Sequence, residues 1–372
     1  MDIFAGLPRV PLLFSPTPLH RADNLSGDLG ISLWLKRDDL TGPGAFGGNK
    51  MRKLEFLLGQ AKAAGADYVF TFGATQSNHA MQTAAACGRC GLKAVLYLVA
   101  VVEPDAADLR GNMLLDALFG AETHIVHLQA GETEDDGNQR ALLLARKQIA
   151  ELTAQGHRCV EIPIGGANPV GSLGFAAGYL EVQGQLKSMG EPPFDYLYHS
   201  TGSAGTLAGL LAGQALAGGG EKIMAVCASP KILDTYTALA LGLGRETLDC
   251  LWQAVGSAKD NKGEKDGKNQ KDEKGAGLPA APPPIRENGF AILTDFVGPG
   301  YEIPTPESTA ALRTLARREG VTLDPVYSAK AFAGLLRHVQ TGRIAPGARV
   351  LFWHTGGSAS LFAEPAIVGD LR

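Results

Sequence analysis

Gly-Gly-Asn-Lys-Met-Arg-Lys-Leu-Glu, from Gly47 to Glu55, is followed about 20 residues later by Gln-Ser-Asn-His, from Gln76 to His79. The glycine pair predicts a turn where the backbone passes close to a bound group. Lys50 follows it at the start of an apolar-periodic stretch, which predicts a helix with the lysine at its mouth. Burial there would lower the pKa of the lysine and make its amine a nucleophile toward an aldehyde.

Such an amine indicates a Schiff base with pyridoxal phosphate. The two runs, in their order and spacing, resemble those of the pyridoxal-phosphate enzymes of the tryptophan synthase beta-like fold (fold type II). More narrowly, they resemble the branch that holds D-cysteine desulfhydrase and 1-aminocyclopropane-1-carboxylate deaminase. The resemblance extends from about Pro16 to Leu361, with one insertion. It implies a two-lobed α/β fold with parallel or mostly parallel sheets flanked by helices.

The composition is that of a globular enzyme. A chain of 372 residues with 45% hydrophobic and 19% charged residues can bury a large core. Its net charge of -4 gives no reason to expect nucleic acid or an anionic membrane as a partner. No apolar run approaches the roughly 20 residues that span a bilayer, and the start of the chain lacks a secretory pattern. We expect a cytoplasmic homodimer that acts on a small amino acid.

Five cysteines are scattered along the chain. Cys87 and Cys90 have a spacing that admits a redox or metal site. No second pair of cysteine or histidine residues stands nearby to complete a zinc site. We therefore expect small buried thiols and no metal.

Apolar strands alternate with helices, which predicts parallel sheets covered on both faces. In such sheets ligands bind beyond the carboxyl ends of the strands. Strands are predicted at 68–72, 94–99, 124–128, 196–199, 222–226 and 350–354, and helices at 78–87, 111–119, 134–155 and 206–217. Three polar runs follow predicted strands, at 73–79, 201–206 and 355–357.

The resemblance implies a small lobe at about 53–164, inserted into a large lobe made of 1–52 and 165–372, with the cofactor in the cleft. The segment from Ser257 to Pro284 is rich in Lys, Asp, Glu, Gly and Pro. It cannot bury enough apolar surface to offset its ordering entropy, so we predict a disordered surface insertion. A basic binding arm is the alternative, which interleaved acidic residues weaken.

Two lysines carry the central prediction. The resemblance assigns Lys50 to the Schiff base and to the movement of the substrate Cα proton. It places Lys53 on the cofactor phosphate. One helical turn separates the two, so both can face one cleft. An exposed helix charge is the alternative for Lys53.

A glycine- and serine-rich turn follows the strand that ends near His199. Such a turn at a helix N-terminus exposes backbone N–H groups that suit a phosphate. In position and sequence it matches the phosphate loop of the family. The predicted cofactor-binding residues here are Thr201, Gly202, Ser203, Ala204, Gly205 and Thr206.

The second run provides side chains at another strand end. The resemblance puts Asn78 on the phenolic oxygen of the cofactor and Ser77 near the substrate carboxylate. Either residue could instead cap the following helix, and both roles can coexist. His79 could assist proton transfer, and a hydrogen-bonded packing histidine is an equal alternative.

Further site residues come from the last third of the chain. The resemblance assigns Tyr301 and Tyr327 to the substrate side of the cofactor, with Tyr327 near the ring as a proton shuttle. Thr355 directly follows the last predicted strand and could hydrogen-bond the pyridine nitrogen.

Two positions bear on the reaction. Cyclopropane deaminases usually carry a glutamate after the catalytic tyrosine and a leucine before the late glycine pair, whereas this chain has Ser328 and Thr355. A neutral hydroxyl makes the ring a weaker electron sink, which suffices when a β-substituent leaves. The sequence therefore favours β-elimination from D-cysteine. Cyclopropane-carboxylate deamination, elimination from cysteate or D-serine, and cofactor binding without catalysis remain alternatives.

Overall fold

The computed structural model describes residues 3–42, 47–105, 109–263 and 280–363, and of residues 257–263 it describes the backbone alone. Ten strands lie within these residues and form two sheets. The strands are β1 (Leu19–Arg21), β2 (Ser32–Arg37), β3 (Tyr68–Ala74), β4 (Lys93–Ala100), β5 (Glu122–His127), β6 (Cys159–Ile162), β7 (Tyr196–Thr201), β8 (Lys222–Cys227), β9 (Phe290–Leu293) and β10 (Arg349–His354).

Helices cover both faces of each sheet. They are α1 (Asp23–Leu29), α2 (Lys50–Ala63), α3 (Asn78–Cys90), α4 (Gly111–Leu118), α5 (Glu134–Ala154), α6 (Pro169–Met189), α7 (Gly205–Ala217), α8 (Leu233–Gly263), α9 (Pro306–Glu319) and α10 (Ser328–Gln340). Short 3₁₀ turns lie at 38–40, 164–166 and 358–362.

One sheet has six strands in the order β1-β2-β10-β7-β8-β9, and the other has four in the order β5-β4-β3-β6. Apart from the antiparallel pair β1 and β2, the neighbouring strands are parallel. The predicted mostly parallel α/β fold is therefore confirmed. Parallel strands need long crossovers, which the helices provide.

Apolar side chains pack on both faces of the two sheets. In the six-stranded sheet, α6, α7 and α8 cover one face, while α1, α9 and α10 cover the other. In the four-stranded sheet, α2 and α3 cover one face and α5 the other. The strands of the smaller sheet all fall within residues 68–162. The lobe boundaries at 53 and 164 stay a prediction, because α2 packs against both α3 and α6.

The predicted insertion begins too early at Ser257. Helix α8 continues to Gly263, so the first seven residues of that segment are helical. A packed helix already provides the nucleus, and alanine and lysine extend it at little cost. Residues 264–279 lie outside the described residues.

Candidate active site

A cavity of about 230 Å³ lies where β3, β7 and β10 end, lined from both sheets. The predicted site residues that line it are Lys50, Ser77, Asn78, Thr201, Gly202, Ser203, Ala204, Thr206, Tyr301, Tyr327 and Thr355. The carboxyl edge of parallel strands is where α/β folds bind ligands. The structure therefore brings most of the predicted residues together, although they are more than 300 positions apart in sequence.

Lys50 is the first residue of α2, and the turn before it is fastened to the end of β10. The Asn49 N–H donates to the carbonyl oxygen of Thr355 at 2.9 Å, and Gly48 pairs with Gly356 in a short antiparallel bridge. Gly48 has φ +155°, and a Cβ there would lie 2.1 Å from the Gln82 side-chain nitrogen. Only glycine fits at position 48 of this turn. The turn therefore fixes where α2 begins and where its first residue, Lys50, lies.

The Lys50 amine lies in surroundings that favour its neutral form. Among the described residues no hydrogen bond or ion pair engages its Nζ, and the half-buried side chain lines the cavity. Burial lowers the pKa of Lys50 to about 8, with the Asp324 carboxylate acting in the opposite direction. A substantial fraction of this amine is therefore neutral near physiological pH.

The opposite face of α2 holds a buried ionic cluster, defined as Lys36, Asp38, Arg52 and Glu181. The Arg52 guanidinium donates to Asp38 through Nε and Nη2, at 2.7 Å each, and to Glu181 through Nη2 at 3.0 Å. Lys36 Nζ donates to Glu181 at 2.6 Å. Trp353 Nε1, two residues before Thr355, donates to Asp38 at 2.7 Å. The cluster thus ties α2 to β10 and α6.

Ser77 caps helix α3 and also lines the cavity. Its Oγ accepts the Ala80 N–H at 3.3 Å as the N-cap of α3. Asn78 lines the cavity as well, and its Oδ1 accepts a hydrogen bond from Asn112 Nδ2 at 2.9 Å. The turn after β3 therefore presents both side chains to the same space.

His79 follows these residues on α3 and also lines the cavity. Its Nε2 is 2.8 Å from Thr71 Oγ1. Burial, together with the nearby Lys50 and Lys53, holds the pKa of His79 well below its usual value. The imidazole is therefore neutral near pH 7, which favours the packing interpretation over that of a proton carrier.

The turn after β7 supplies backbone donors. Ala204 has φ +63° and precedes α7, whose first N–H groups have no acceptor within the helix. Tyr236 on α8 holds this turn: its Oη accepts the Ala204 N–H at 2.9 Å and donates to the Gly202 carbonyl at 3.0 Å. Gly205, the first residue of α7, supports the turn and does not itself line the cavity.

Lys53 is buried beneath that turn and is absent from the cavity lining. Its Nζ donates to the Gly165 carbonyl at 2.9 Å. A Cβ at Gly205 would lie 2.8 Å from this nitrogen, so the amine abuts the N-terminus of α7. Burial first, and Lys50 second, hold the pKa of Lys53 well below its usual value. The alternative of an exposed helix charge is wrong.

Tyr301 and Tyr327 form a pair on the cavity wall, with their hydroxyl oxygens 2.5 Å apart. Burial raises the pKa of both phenols, so each stays protonated near neutral pH. The Tyr327 N–H donates to the Asp324 carboxylate at 2.7 Å. Lys330 Nζ donates to the carbonyl of Gly300 at 2.9 Å, which steadies the turn before Tyr301.

Thr355 and Ser328, which the sequence paired as neutral positions, lie in different surroundings. Thr355 lines the cavity, and its Oγ1 is 2.9 Å from Ser200 Oγ. Ser328 is buried outside the cavity lining, and its hydroxyl donates to Asp324. The position of Ser328 therefore does not support a role near the cofactor ring, because its hydroxyl and its N–H both bond to the Asp324 carboxylate just before α10.

The structure adds residues to which the sequence assigned no role. Asn49 and Ser200 line the cavity, and both belong to the runs that drew attention to the site. Glu134 and Lys231 also line it, but they come from α5 and from the turn after β8, with no local signal. Burial raises the pKa of Glu134, and Lys231 partly opposes that effect.

Comparison with known proteins identifies the family. Residues 10–356 match the family described as "Pyridoxal-phosphate dependent enzyme". The chain belongs to this family. A D-cysteine desulfhydrase of Serratia proteamaculans (strain 568) is 36% identical over 368 residues and is covered to 96%, as is this chain. A "Putative 1-aminocyclopropane-1-carboxylate deaminase" of Pyrococcus abyssi (strain GE5 / Orsay) is 35% identical over 360 residues, which are 97% of this chain and 94% of the relative.

Solved structures agree with the family. An "ACC deaminase homologue" superimposes with a TM-score of 0.77 at 31% sequence identity, covering 98% of both chains. The O-ureido-L-serine synthase, at 16% identity and a TM-score of 0.61, shares the fold. The predicted family, fold and cofactor of this pyridoxal-phosphate-dependent enzyme are therefore confirmed.

The cavity of this pyridoxal-phosphate-dependent enzyme fits its cofactor chemically. A nucleophilic amine is provided by Lys50, and an anion site by the N-terminus of α7. Glycine backbone keeps the walls open, because a Cβ at Gly357 would lie 2.6 Å from Asn78 Nδ2 and one at Gly165 would lie 2.3 Å from Ser203 Oγ. The amine suits the aldehyde of pyridoxal phosphate, and the N-terminus of α7 suits its phosphate.

Three further observations concern the described residues as a whole. They contain no helix with the length and apolar character needed to cross a membrane. They also contain no group of three or more His, Cys, Asp or Glu side chains placed to hold a metal ion. The described cysteines, Cys87 and Cys90 included, are all free thiols, and burial raises the pKa of Cys87.

Proposed function

We propose that the enzyme is a lyase that acts on D-cysteine by α,β-elimination. The overall reaction is D-cysteine plus water to hydrogen sulfide, pyruvate and ammonia. Support comes from relatives such as the Serratia D-cysteine desulfhydrase, which matches along nearly the whole chain. Support also comes from the uncharged character of the cavity wall at the end of β10.

That wall is the observation that carries the proposal. Thr355 and Ser200 are hydrogen-bonded to each other at 2.9 Å, and both line the cavity. Two neutral hydroxyls at this place would leave the ring nitrogen without a charged partner, so the ring withdraws electrons only moderately. Elimination of a thiol needs only moderate withdrawal, because the leaving sulfur carries electrons away.

The cofactor would be held by residues already brought together. The turn from Thr201 to Thr206 and the N-terminus of α7 would bind the phosphate, with Lys53 behind them. Lys50 would bind the aldehyde carbon, Asn78 the phenolic oxygen and Thr355 the ring nitrogen. When bound, pyridoxal phosphate would supply an aldehyde for the substrate amine and an electron-withdrawing ring for its Cα.

The remaining chemistry falls to side chains of this chain. Lys50, with a pKa of about 8, would accept the Cα proton, since a base works best with a pKa near the working pH. The hydrogen-bonded phenols of Tyr301 and Tyr327 stay protonated, so either could give a proton to the departing sulfur. Lys50 would later pass the Cα proton to the phenol that has protonated the sulfur. Ser77 would orient the substrate carboxylate.

A cyclopropane-carboxylate deaminase is the second candidate. The Pyrococcus abyssi relative and the solved homologue carry that name, and both match nearly the whole chain. Opening a carbon ring asks for stronger electron withdrawal than the neutral wall offers, so we rank this activity lower. Elimination from cysteate or D-serine, and cofactor binding without catalysis, rank below it.

A substrate panel tests the proposal. The holoenzyme is given D-cysteine, L-cysteine, D-serine, cysteate and 1-aminocyclopropane-1-carboxylate, and sulfide, pyruvate and ammonia are measured. We expect D-cysteine to give the highest kcat/KM, with all three products in equal amounts. Faster ammonia release from the cyclopropane acid would reject D-cysteine. A yellow protein that turns over none of the five would favour the non-catalytic alternative.

Thr355 allows a sharper test within the same panel. Thr355→Val keeps the shape and removes the hydroxyl, whereas Thr355→Ser keeps the hydroxyl. We expect Val to lower kcat for D-cysteine about tenfold, the effect of one lost hydrogen bond in a dry site, and Ser to lower it much less. Equal effects of the two substitutions would remove Thr355 from the proposed role.

The homodimer and the cytoplasmic location are part of this proposal. Free thiols among the described residues suit a reducing compartment. Light scattering of the holoenzyme tests the dimer, and localisation of the tagged chain in its cell of origin tests the compartment.

A further inference from the structure

Asn112, near the start of α4, joins two parts of the turn that follows β3. Its Nδ2 donates to the backbone carbonyl of Gln76 at 2.7 Å and to Asn78 Oδ1 at 2.9 Å. The residue is fully buried and does not line the cavity, whereas Asn78 does. Asn112 therefore acts on the site from behind its wall.

The backbone carbonyl of Gln76 shows which atom donates and which accepts between Asn112 and Asn78. A backbone carbonyl can only accept, so the atom of Asn112 that faces the Gln76 carbonyl must be the amide nitrogen. The second hydrogen of that nitrogen is directed at Asn78, so the facing atom of Asn78 must be its oxygen. The Asn78 nitrogen is then forced to the other side.

That nitrogen has a defined direction. A Cβ built on Gly357 would lie 2.6 Å from Asn78 Nδ2, so the amide group is turned toward the glycine pair after β10. Among the described residues no protein acceptor pairs with this nitrogen. A donor left open on a cavity wall calls for an acceptor on the ligand.

Contacts at the start of α4 hold Asn112 in a fixed position and orientation. Its backbone N–H donates to Gln76 Oε1 at 2.9 Å, and Gly111 has φ +55° with space only for glycine, since a Cβ would lie 2.6 Å from the same oxygen. Asn112 Oδ1 is buried with no partner among the described residues. Turning the amide over would place that oxygen against the Gln76 carbonyl.

We infer that Asn112 is a positioning residue that fixes Asn78 as a hydrogen-bond donor to the cavity. The inference rests on the proposed function, in which the acceptor is the phenolic oxygen of pyridoxal phosphate. With the opposite orientation Asn78 would present an oxygen to another oxygen, and the cofactor would bind weakly. Specificity at this wall is thus set from helix α4, by a residue 34 positions further along the chain than Asn78.

The test uses cofactor binding by the apoenzyme. Pyridoxal phosphate is titrated into wild type, Asn112→Asp and Asn112→Ala, and the Kd and the absorbance maximum are recorded. An ionised aspartate accepts where asparagine donates, so Asn78 should reverse and the Kd should rise about tenfold or more. In Asn112→Ala the Asn78 amide can adopt either orientation, so the Kd of this variant for pyridoxal phosphate should rise only a few-fold. Asn24→Asp, an exposed change of the same kind, serves as the control.

The order of the two variants decides the matter. A purely structural role predicts that alanine, which leaves a cavity, is at least as harmful as the isosteric aspartate, and that order would overturn the inference. If Asn112→Asp does not fold, Asn112→Ser replaces it: its hydroxyl can donate to Asn78, so it should bind the cofactor more tightly than Asn112→Ala, and equal Kd values would overturn the inference. Wild type that fails to bind pyridoxal phosphate would instead reject the proposed function.

Discussion

Both faces of helix α2 bury basic side chains, but the pKa values of these side chains shift in opposite directions on the two faces. On the face of the ionic cluster, Arg52 meets the carboxylates of Asp38 and Glu181, and its pKa is raised. On the cavity face, Lys50 and Lys53 meet no carboxylate within ion-pair distance among the described residues, and burial lowers their pKa values. Residues two positions apart point to opposite sides of a helix, so neighbours in sequence occupy contrasting environments.

This contrast indicates a division of labour. A paired, buried arginine keeps its charge and its geometry. It fixes α2 against Glu181 and against Asp38, which also accepts a hydrogen bond from Trp353. An unpaired, buried lysine tends to lose its charge, and a neutral amine is the reactive form. The cluster supplies rigidity to the helix that aims the reactive group, whereas the cavity face accepts a cost in stability.

Replacing Lys50 should give the largest effect. We expect Lys50→Ala to lower turnover of D-cysteine by roughly 10³-fold or more, because both the covalent and the acid–base roles disappear. The free energy of unfolding of the apoprotein, measured in urea, should not fall, since no ion pair is lost. Lys222→Ala, at an exposed position, is the control. A variant that keeps its activity would show that Lys50 is not the reactive lysine.

Replacing Arg52 should act on stability. Arg52→Met leaves the buried Asp38 without its cation and leaves Glu181 with Lys36 alone, so unfolding in urea should become easier by about 3–5 kcal/mol. Arg318→Met breaks the exposed pair with Asp28 and should cost about 0–1 kcal/mol. Equal losses from the two substitutions would erase the distinction between the faces of α2.

The pH dependence of amine labelling tests the shift directly. Only neutral amines react with trinitrobenzenesulfonate, and peptide mapping reports each lysine of the apoprotein separately. Lys50, whose pKa is lowered to about 8, should gain reactivity between about pH 7 and 9 and then level off. Lys93 donates to Tyr68 at 3.0 Å, and this bond raises its pKa, so its labelling should still be increasing at pH 10. Parallel curves for the two lysines would contradict the assigned shift.

Much of the site was predictable because parallel sheets place their functional residues at strand ends. The residues at the ends of β3, β7 and β10 form short continuous runs, so the family resemblance and the predicted strand ends together pointed to Asn78, Thr201 and Thr355, which all line the cavity. Their assembly follows from the parallel order of the strands. The same logic could not find Glu134 or Lys231, which reach the cavity from elements without a chemical signature.

Other features depend on tertiary contacts that no local pattern encodes. Glu181 lies 129 positions from Arg52, so the ionic cluster cannot be read from the motif that contains the arginine. Ser328 follows Tyr327 directly, yet its side chain turns back to Asp324 at the first turn of α10. The sequence shows that Ser328 follows Tyr327, but it does not show which way the Ser328 side chain points. That direction is set by the hydrogen bond to Asp324.

Lys53 provides the finest test of the contrast. Lys53→Met nearly keeps the length of the side chain. It removes an amine that, among the described residues, has the Gly165 carbonyl as its one hydrogen-bond partner. Replacing a poorly paired buried cation by an apolar isostere is often stabilising, so we expect the apoprotein to gain about 1 kcal/mol in urea. The affinity for pyridoxal phosphate should fall a few-fold, because the variant lacks an amine that a bound phosphate behind the α7 turn would favour in its protonated form.

The two measurements must move in opposite directions for the contrast to hold. Lys62→Met, on the exposed end of the same helix, controls for the loss of a lysine and should change neither quantity by much. If Lys53→Met destabilises the apoprotein, the bond to Gly165 has a structural role that outweighs the burial of the amine. The cavity face would then be built for stability like the opposite face, and the cost that we attribute to function would be confined to Lys50.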